Sequence, residues 1–385
     1  MRRNATIRLI LLSAACTAGG SAFSWAQAPG TPAAPERRPR VIIRDARSKA
    51  ESRDQQYPPY NREAGPFPVR TASAEWLDGA RTRTVRVKAY RPIGDQAEAR
   101  RRPLVLLSAG LAQTRDDGGF LAEHWASHGY ITLVVEHEAI ARNDPPRDAA
   151  RAGGFDARPE AWRAIPLDLR FALDQALRDP ALATRVDRER IGVFGQGMGA
   201  FGALAVCGVS VDFPQKRNEA AARDVTFLDP RFRALIAASP PSEDVCGLDR
   251  TAWQTLATPA LHVVGMADET SDVKSWRDRL TGYRQTTQRD QFLLTIRRAD
   301  AADLNDAPLS KQAERGRQPA ARDWLRMTSM AFWDSYLLGD PAAQQWLLDD
   351  LIEGASARAV KLDSKNVTPV GRIIAPETPG TAQPR

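Results

Sequence analysis

Residues 187–208 hold the spacing in this chain that most resembles reaction machinery. An apolar run, Ile191–Phe194, meets the cluster Gly195-Gln196-Gly197-Met198-Gly199, and a small-residue helical pattern begins at Ala200. Strand, tight turn and helix in that order build the G-x-S-x-G elbow, in which a strained turn presents a serine nucleophile to substrate. Here the central position is Gly197, which has no side chain. The sequence carries the turn and lacks its reactive atom.

Other groups could supply chemistry near this turn. Ser108 and Ser210 stand beside the relevant loops in sequence, and Cys207 lies on the helix that follows the turn. Cys207 falls about two and a half helical turns past Gly197, too deep to replace it, which suits a core or disulfide role. Gly197-Met-Gly199-Ala-Phe-Gly202 also matches G-x-G-x-x-G, but a dinucleotide site wants an acid about 20 residues further on and Asp212 comes too early. His124 and His128 have the i, i+4 spacing of a metal pair. Glu123 is off their face and no third ligand is evident, so packing or capping is the expected role. No metal and no cofactor are expected.

The elements that position these groups can be read from periodicity. Ala74–Trp76 and Thr82–Tyr90 alternate apolar and polar around the turn signal Asp78-Gly79, as a half-exposed hairpin does. Continuous apolar runs at 104–107, 131–135, 191–194, 234–238, 260–264 and 291–296 suit buried parallel strands. Helical patterns at 120–127, 166–177, 322–338 and 342–352 alternate with them. This is an α/β class chain: a mostly parallel central sheet with helices on both faces, in one domain over 67–355, with its ligand site at the carboxyl ends of the strands.

The flanks differ in composition. Arg2, Arg3 and Arg8, the apolar run Leu9–Ala15 and Ser24-Trp25-Ala26 read as a signal peptide, residues 1–26, cleaved after Ala26. A periplasmic or secreted protein is expected, with a lipoprotein anchored through Cys16 as the alternative. Residues 27–66 read as a basic, Pro-rich linker, largely disordered, and 356–385 as a flexible tail. The first 60 residues hold ten Lys/Arg against four acids, which leaves the folded part of a chain of net charge +7 close to neutral. With no basic stripe expected on the fold, nothing argues for nucleic acid, and no apolar window after the N-terminus is long enough to span a membrane. Cys207 and Cys246 could form one disulfide in an oxidising compartment or remain two buried thiols.

Several motifs in order resemble secreted α/β-hydrolases of the platelet-activating-factor-acetylhydrolase and dienelactone-hydrolase type. Leu106-Leu-Ser108-Ala109-Gly110-Leu111 with Arg115-Asp-Asp is similar to that family's FSHGLGGSR loop, and Phe120–Tyr130 to its YLAEHWASHGY helix. Pro166–Asp174 resembles the helix before the elbow strand, and Arg190–Phe201 stands where the family has RIGVAGHSFGAYT. Leu261–Asp268 resembles the strand and loop bearing the catalytic acid, and Phe332–Leu337 the closing helix.

The resemblance implies an α/β-hydrolase fold and a Ser-His-Asp ester hydrolase. Carried over by position, the nucleophile is Gly197, the base, in a GADH motif, is Ala301, and only the acid, Asp268, survives; the histidine of the SHG loop is Ala109. Four histidines occur in the chain, and none follows His262. The expectation is a pseudo-hydrolase that binds a ligand or partner through the old acyl pocket, where the Met198 and Leu111 N–H groups, as an oxyanion hole, would suit a small carboxylate or ester. The alternative is an active carboxylic-ester or phospholipid-type ester hydrolase using another nucleophile.

Overall fold

The alternating segment folds as expected, into an antiparallel hairpin. β1 (Val69–Asp78) pairs with β2 (Arg83–Pro92) from Val69↔Pro92 to Asp78↔Arg83. Asp78 closes the turn, its Oδ1 accepting the Ala80 N–H at 3.1 Å and the Arg81 N–H at 3.3 Å. The computed structural model describes residues 23, 60–111, 113–138, 159–212, 227–243, 245, 247–256, 258–268, 275–305, 319–349 and 351–370.

The apolar runs become β3 (Arg102–Ser108), β4 (Ile131–Glu136), β5 (Val186–Gln196), β6 (Phe232–Ala238), β7 (Ala260–Gly265) and β8 (Gln291–Ile296). With β9 (Val360–Lys365) they form one sheet in the order β1-β2-β4-β3-β5-β6-β7-β8-β9. The six strands from β4 to β8 along that order run parallel, while β2 and β9 join antiparallel.

Helices cover both faces, which is why the parallel strands can be apolar on both sides. One face packs Leu104, Leu106, Ile191 and Val193 under α3 (Pro159–Ala176) and α4 (Met198–Val206) through Trp162, Ile165 and Phe201. The other packs Val105, Leu107 and Phe194 under α2 (Gly119–Ser127) and α6 (Pro319–Leu338) through Trp125, Phe332 and Trp333. The short helices are α1 (Asp95–Glu98), α5 (Thr281–Gln285), α7 (Pro341–Leu347) and α8 (Leu351–Ala355). Among the described residues no helix is long and apolar enough to cross a membrane.

The boundaries are wider than composition suggests. Residues 60–66, expected in the linker, lie on the domain: Tyr60 donates to Asp334 at 2.7 Å, Arg62 pairs with Asp323 at 2.6 Å and Gly65 N–H donates to Ser127 Oγ at 2.9 Å. At the other end β9 falls inside the expected flexible tail, held by its ladder to β8 and by Gln344, which bonds Thr368 O at 2.9 Å and the Val370 N–H at 3.0 Å. The helix expected over 342–352 is divided into α7 and α8. The signal segment and Cys16 lie outside the described residues, apart from Phe23, whose ring packs edge-on against Trp76 at 5.4 Å.

Two buried imidazoles make stability depend on pH. Burial holds His124 down at about 3, helped by the neighbouring charges of His128 and Arg326, and burial holds His262 down at about 4. Each binds fewer protons folded than unfolded, so its contribution is complete above the unfolded value of about 6.5 and is lost as the pH falls toward the folded value. Urea midpoints are therefore expected to decline steadily from pH 7 to pH 4, and a His262→Gln variant should show a shallower decline.

Candidate active site

Gly197 sits between β5 and α4 with φ 54° and ψ −117°, a backbone conformation that strains any residue bearing a Cβ. Its N–H is held by Ala238 O at 3.0 Å, and a Cβ placed on it would meet nothing within 4 Å. The strand–turn–helix is that expected of an elbow, and no described residue occupies the space into which a side chain would project. The approach of α4 to β3 depends on Gly199, where a Cβ would lie 2.3 Å from Ser108 O. A Gly197→Ser substitution has room for its side chain and pays only the backbone strain, about 1–3 kcal/mol. Denaturant titration of that variant measures the cost.

The other two positions that the sequence resemblance assigns to a triad, Asp268 and Ala301, follow β7 and β8. Asp268 follows β7, and its loop is tied to the next by the Ala267 N–H donating to Ala299 O at 2.9 Å. Ala301 opens a single-turn helix, Ala301–Leu304, capped by Asp300. A chain of amides joins this helix to the elbow. Gly110 N–H donates to Gln113 Oε1 (2.6 Å), Gln113 Nε2 to Gln196 Oε1 (3.3 Å), and Gln196 Nε2 to Ala301 O (2.5 Å). Gln196 therefore lies across the gap between the nucleophile and base positions.

Asp268 is fully buried and faces an arginine rather than a histidine. Its Oδ2 is 2.9 Å from Arg279 Nε, and Arg279 Nη1 also reaches Ser239 O at 3.2 Å and Pro240 O at 2.9 Å. Of the donor positions, Met198 is buried at the first turn of α4 and Leu111 is 37% exposed. Neither N–H is hydrogen-bonded among the described residues.

The remaining nucleophile candidates separate clearly. Cys207 is a free, buried thiol at the C-terminal end of α4, and burial pushes its ionisation well above the usual thiol range. Cys246 lies outside the described residues. Ser210 is beyond that same end, away from the elbow, with its N–H bonded to Ala252 O and Thr255 Oγ1. His124 and His128 lie ring against ring at 4.7 Å, and no group of three or more potential ligands among the described residues could hold a metal.

Ser108 has partners that sequence reasoning missed. Its Oγ is 2.8 Å from His137 Nε2, and His137 Nδ1 is 3.2 Å from Asp168 Oδ2. Arg81 Nη1 binds Asp168 Oδ1 at 2.6 Å, and Arg83 stands 3.5 Å from Oδ2. Burial alone raises the Asp168 carboxyl. The His137 hydrogen bond and the charges of His137, Arg83 and Arg81 outweigh it and hold the group below its ordinary value. In the tautomer that carries its proton on Nδ1 toward Asp168, Nε2 would accept from the serine, the polarity of a catalytic triad. All three side chains are essentially inaccessible, at 0%, 0% and 1% exposure for Ser108, His137 and Asp168. The signal in sequence was only that one serine and one histidine end adjacent strands.

No protein-family model and no curated protein matches the chain. Among solved structures 785 chains match, so the architecture is widely used and does not by itself fix a function. One is a ferulic acid esterase from Streptomyces cinnamoneus, with a TM-score of 0.53 and 20% identity over 77% of this chain and 96% of that one. The chain has the α/β-hydrolase fold.

Proposed function

We propose that the chain is an exported pseudo-hydrolase that holds a small carboxylate or ester in the former acyl pocket without cleaving it. The observation that carries this reading is the elbow itself: Gly197 has the strained turn and no side chain to attack, and among the described residues nothing stands where that side chain would be. Two features support it. Asp268 is committed to Arg279, and Gln196 bonds the residue that would be the base. The Met198 and Leu111 N–H groups retain the donors that suit a carboxylate or carbonyl oxygen. Amide NMR tests this directly. Titration with acetate, hexanoate and ethyl butyrate should shift and saturate the Met198 and Leu111 resonances, and no response to any of them would remove the reading.

A second reading has its own observation, the Ser108–His137–Asp168 geometry, which would make the chain an active ester hydrolase. Against it stand the complete burial of Ser108 and the resembling family's FSHG loop, which carries a serine at this position alongside its elbow serine. In the favoured reading the three residues are a structural network.

A further inference from the structure

The β1–β2 register places Arg70 directly opposite Arg91 on the sheet face that also carries Ala72, Ala74 and Trp76. Like charges facing each other across a strand pair repel, and both side chains are partly or fully withdrawn from solvent. The nearby carboxylate is Glu98 of α1, which Arg91 Nη1 contacts at 3.0 Å and which Arg185, in the turn before β5, approaches at 4.0 Å. Arg70 makes no hydrogen bond or ion pair within contact distance among the described residues.

Arg102, next to this group, stacks on Phe67 and donates to Ala97 O and Gln96 O, so its charge meets carbonyls and a ring rather than an acid. Arg100 and Arg101 precede it on the surface. Six arginines from four segments thus lie near the N-terminal ends of β1, β3 and β5 and the end of β2, and Glu98 is the acid that Arg91 and Arg185 contact among the described residues. The sequence reading of an electrically featureless fold misses this, because the arginines are scattered along the chain and only strand register gathers them.

We propose that Arg70, Arg91 and Arg185 form an anion site for a phosphate-type oxyanion, with Glu98, which contacts Arg91 and Arg185, as an internal competitor. Arg91 grips the Glu98 carboxylate at 3.0 Å and Arg185 stands 4.0 Å from it, and planar guanidinium groups of this kind suit the oxygens of a phosphate. The Glu98 carboxylate is held below its ordinary value by the Arg91 hydrogen bond and the charges of Arg91, Arg185 and Arg70, the field an incoming oxyanion would meet. The anion could be free phosphate or the headgroup of an anionic lipid, and the site lies at the opposite end of the sheet from the elbow.

The test uses the full chain with two probes, inorganic phosphate followed by calorimetry, and sedimentation with vesicles of phosphatidylglycerol and phosphatidylcholine against phosphatidylcholine alone. Glu98→Gln should tighten binding about tenfold, and Arg70→Gln with Arg185→Gln should weaken it by about tenfold or more. These opposite changes distinguish a site from a loss of folding, because Glu98 and Arg185 are both partly exposed. Such a response to phosphate identifies a free-oxyanion site, and a response confined to phosphatidylglycerol vesicles identifies a lipid headgroup site. Absence of binding to both probes, or binding that none of the substitutions changes, overturns the proposal.

Discussion

Replacing Asp168 by asparagine is expected to destabilise the fold by about 3–5 kcal/mol, the range for removing one partner from a buried charge network. The carboxylate joins four elements: the hairpin turn through Arg81 and Arg83, α3 on which it sits, the end of β4 through His137 and the end of β3 through Ser108. Its loss leaves two guanidinium groups and an imidazole facing an amide that cannot compensate them. Ser108→Ala should cost less, about 1–3 kcal/mol, because it leaves one buried nitrogen without a partner. An exposed pair serves as the control: Glu189→Gln, opposite Arg233, should change stability by no more than about 0.5 kcal/mol. Urea titrations rank the three variants. A cost below about 1 kcal/mol for Asp168→Asn would mean that the network does not hold the fold, and would return Ser108 to consideration as a catalyst.

The second large effect concerns the retained acid. Arg279→Met is expected to cost about 3–5 kcal/mol, since it removes the arginine paired with the Asp268 carboxylate where no solvent reaches it. Combining it with Asp268→Leu should recover most of that loss, because a buried ion pair replaced by apolar side chains is often neutral. In an active triad the same acid would orient a histidine, and its removal would affect turnover more than folding. The pairing also bears on restoration. Gly197→Ser with Ala301→His supplies a nucleophile and a base, yet Asp268 stays bound to Arg279 and Gln196 stays across the gap. Short p-nitrophenyl esters should therefore be turned over no faster by the double variant than by the parent chain. A gain of a hundredfold would show that Asp268 exchanges Arg279 for histidine readily.

The parts of the fold legible in sequence were those written locally. Asp78-Gly79 between alternating segments specified the hairpin, the run Leu104–Leu107 specified a strand buried on both faces, and the glycines around Gln196 specified the elbow turn. β9 escaped because Val360-Lys-Leu-Asp-Ser-Lys has two apolar residues and owes its conformation to pairing with β8, far away in sequence. The site divides in the same way. Gly197, Asp268 and Ala301 could be proposed by position, but their present partners could not: Arg279 and Gln196 reach them only through tertiary packing. Ser108, His137 and Asp168 come from β3, the end of β4 and α3, and no spacing rule links them. The sheet order β4-β3-β5, with α3 packed across it, brings them together.

The central claim, that no side chain of this protein attacks an ester, is tested most directly by covalent labelling. The purified chain is incubated with a fluorophosphonate at neutral pH and any adduct is mapped by peptide mass spectrometry. The predicted result is an unlabelled protein, because Gly197 offers no nucleophile and Ser108 is sealed beneath the start of α4. Stoichiometric modification of Ser108 that disappears in His137→Gln would contradict the account and make the chain an enzyme.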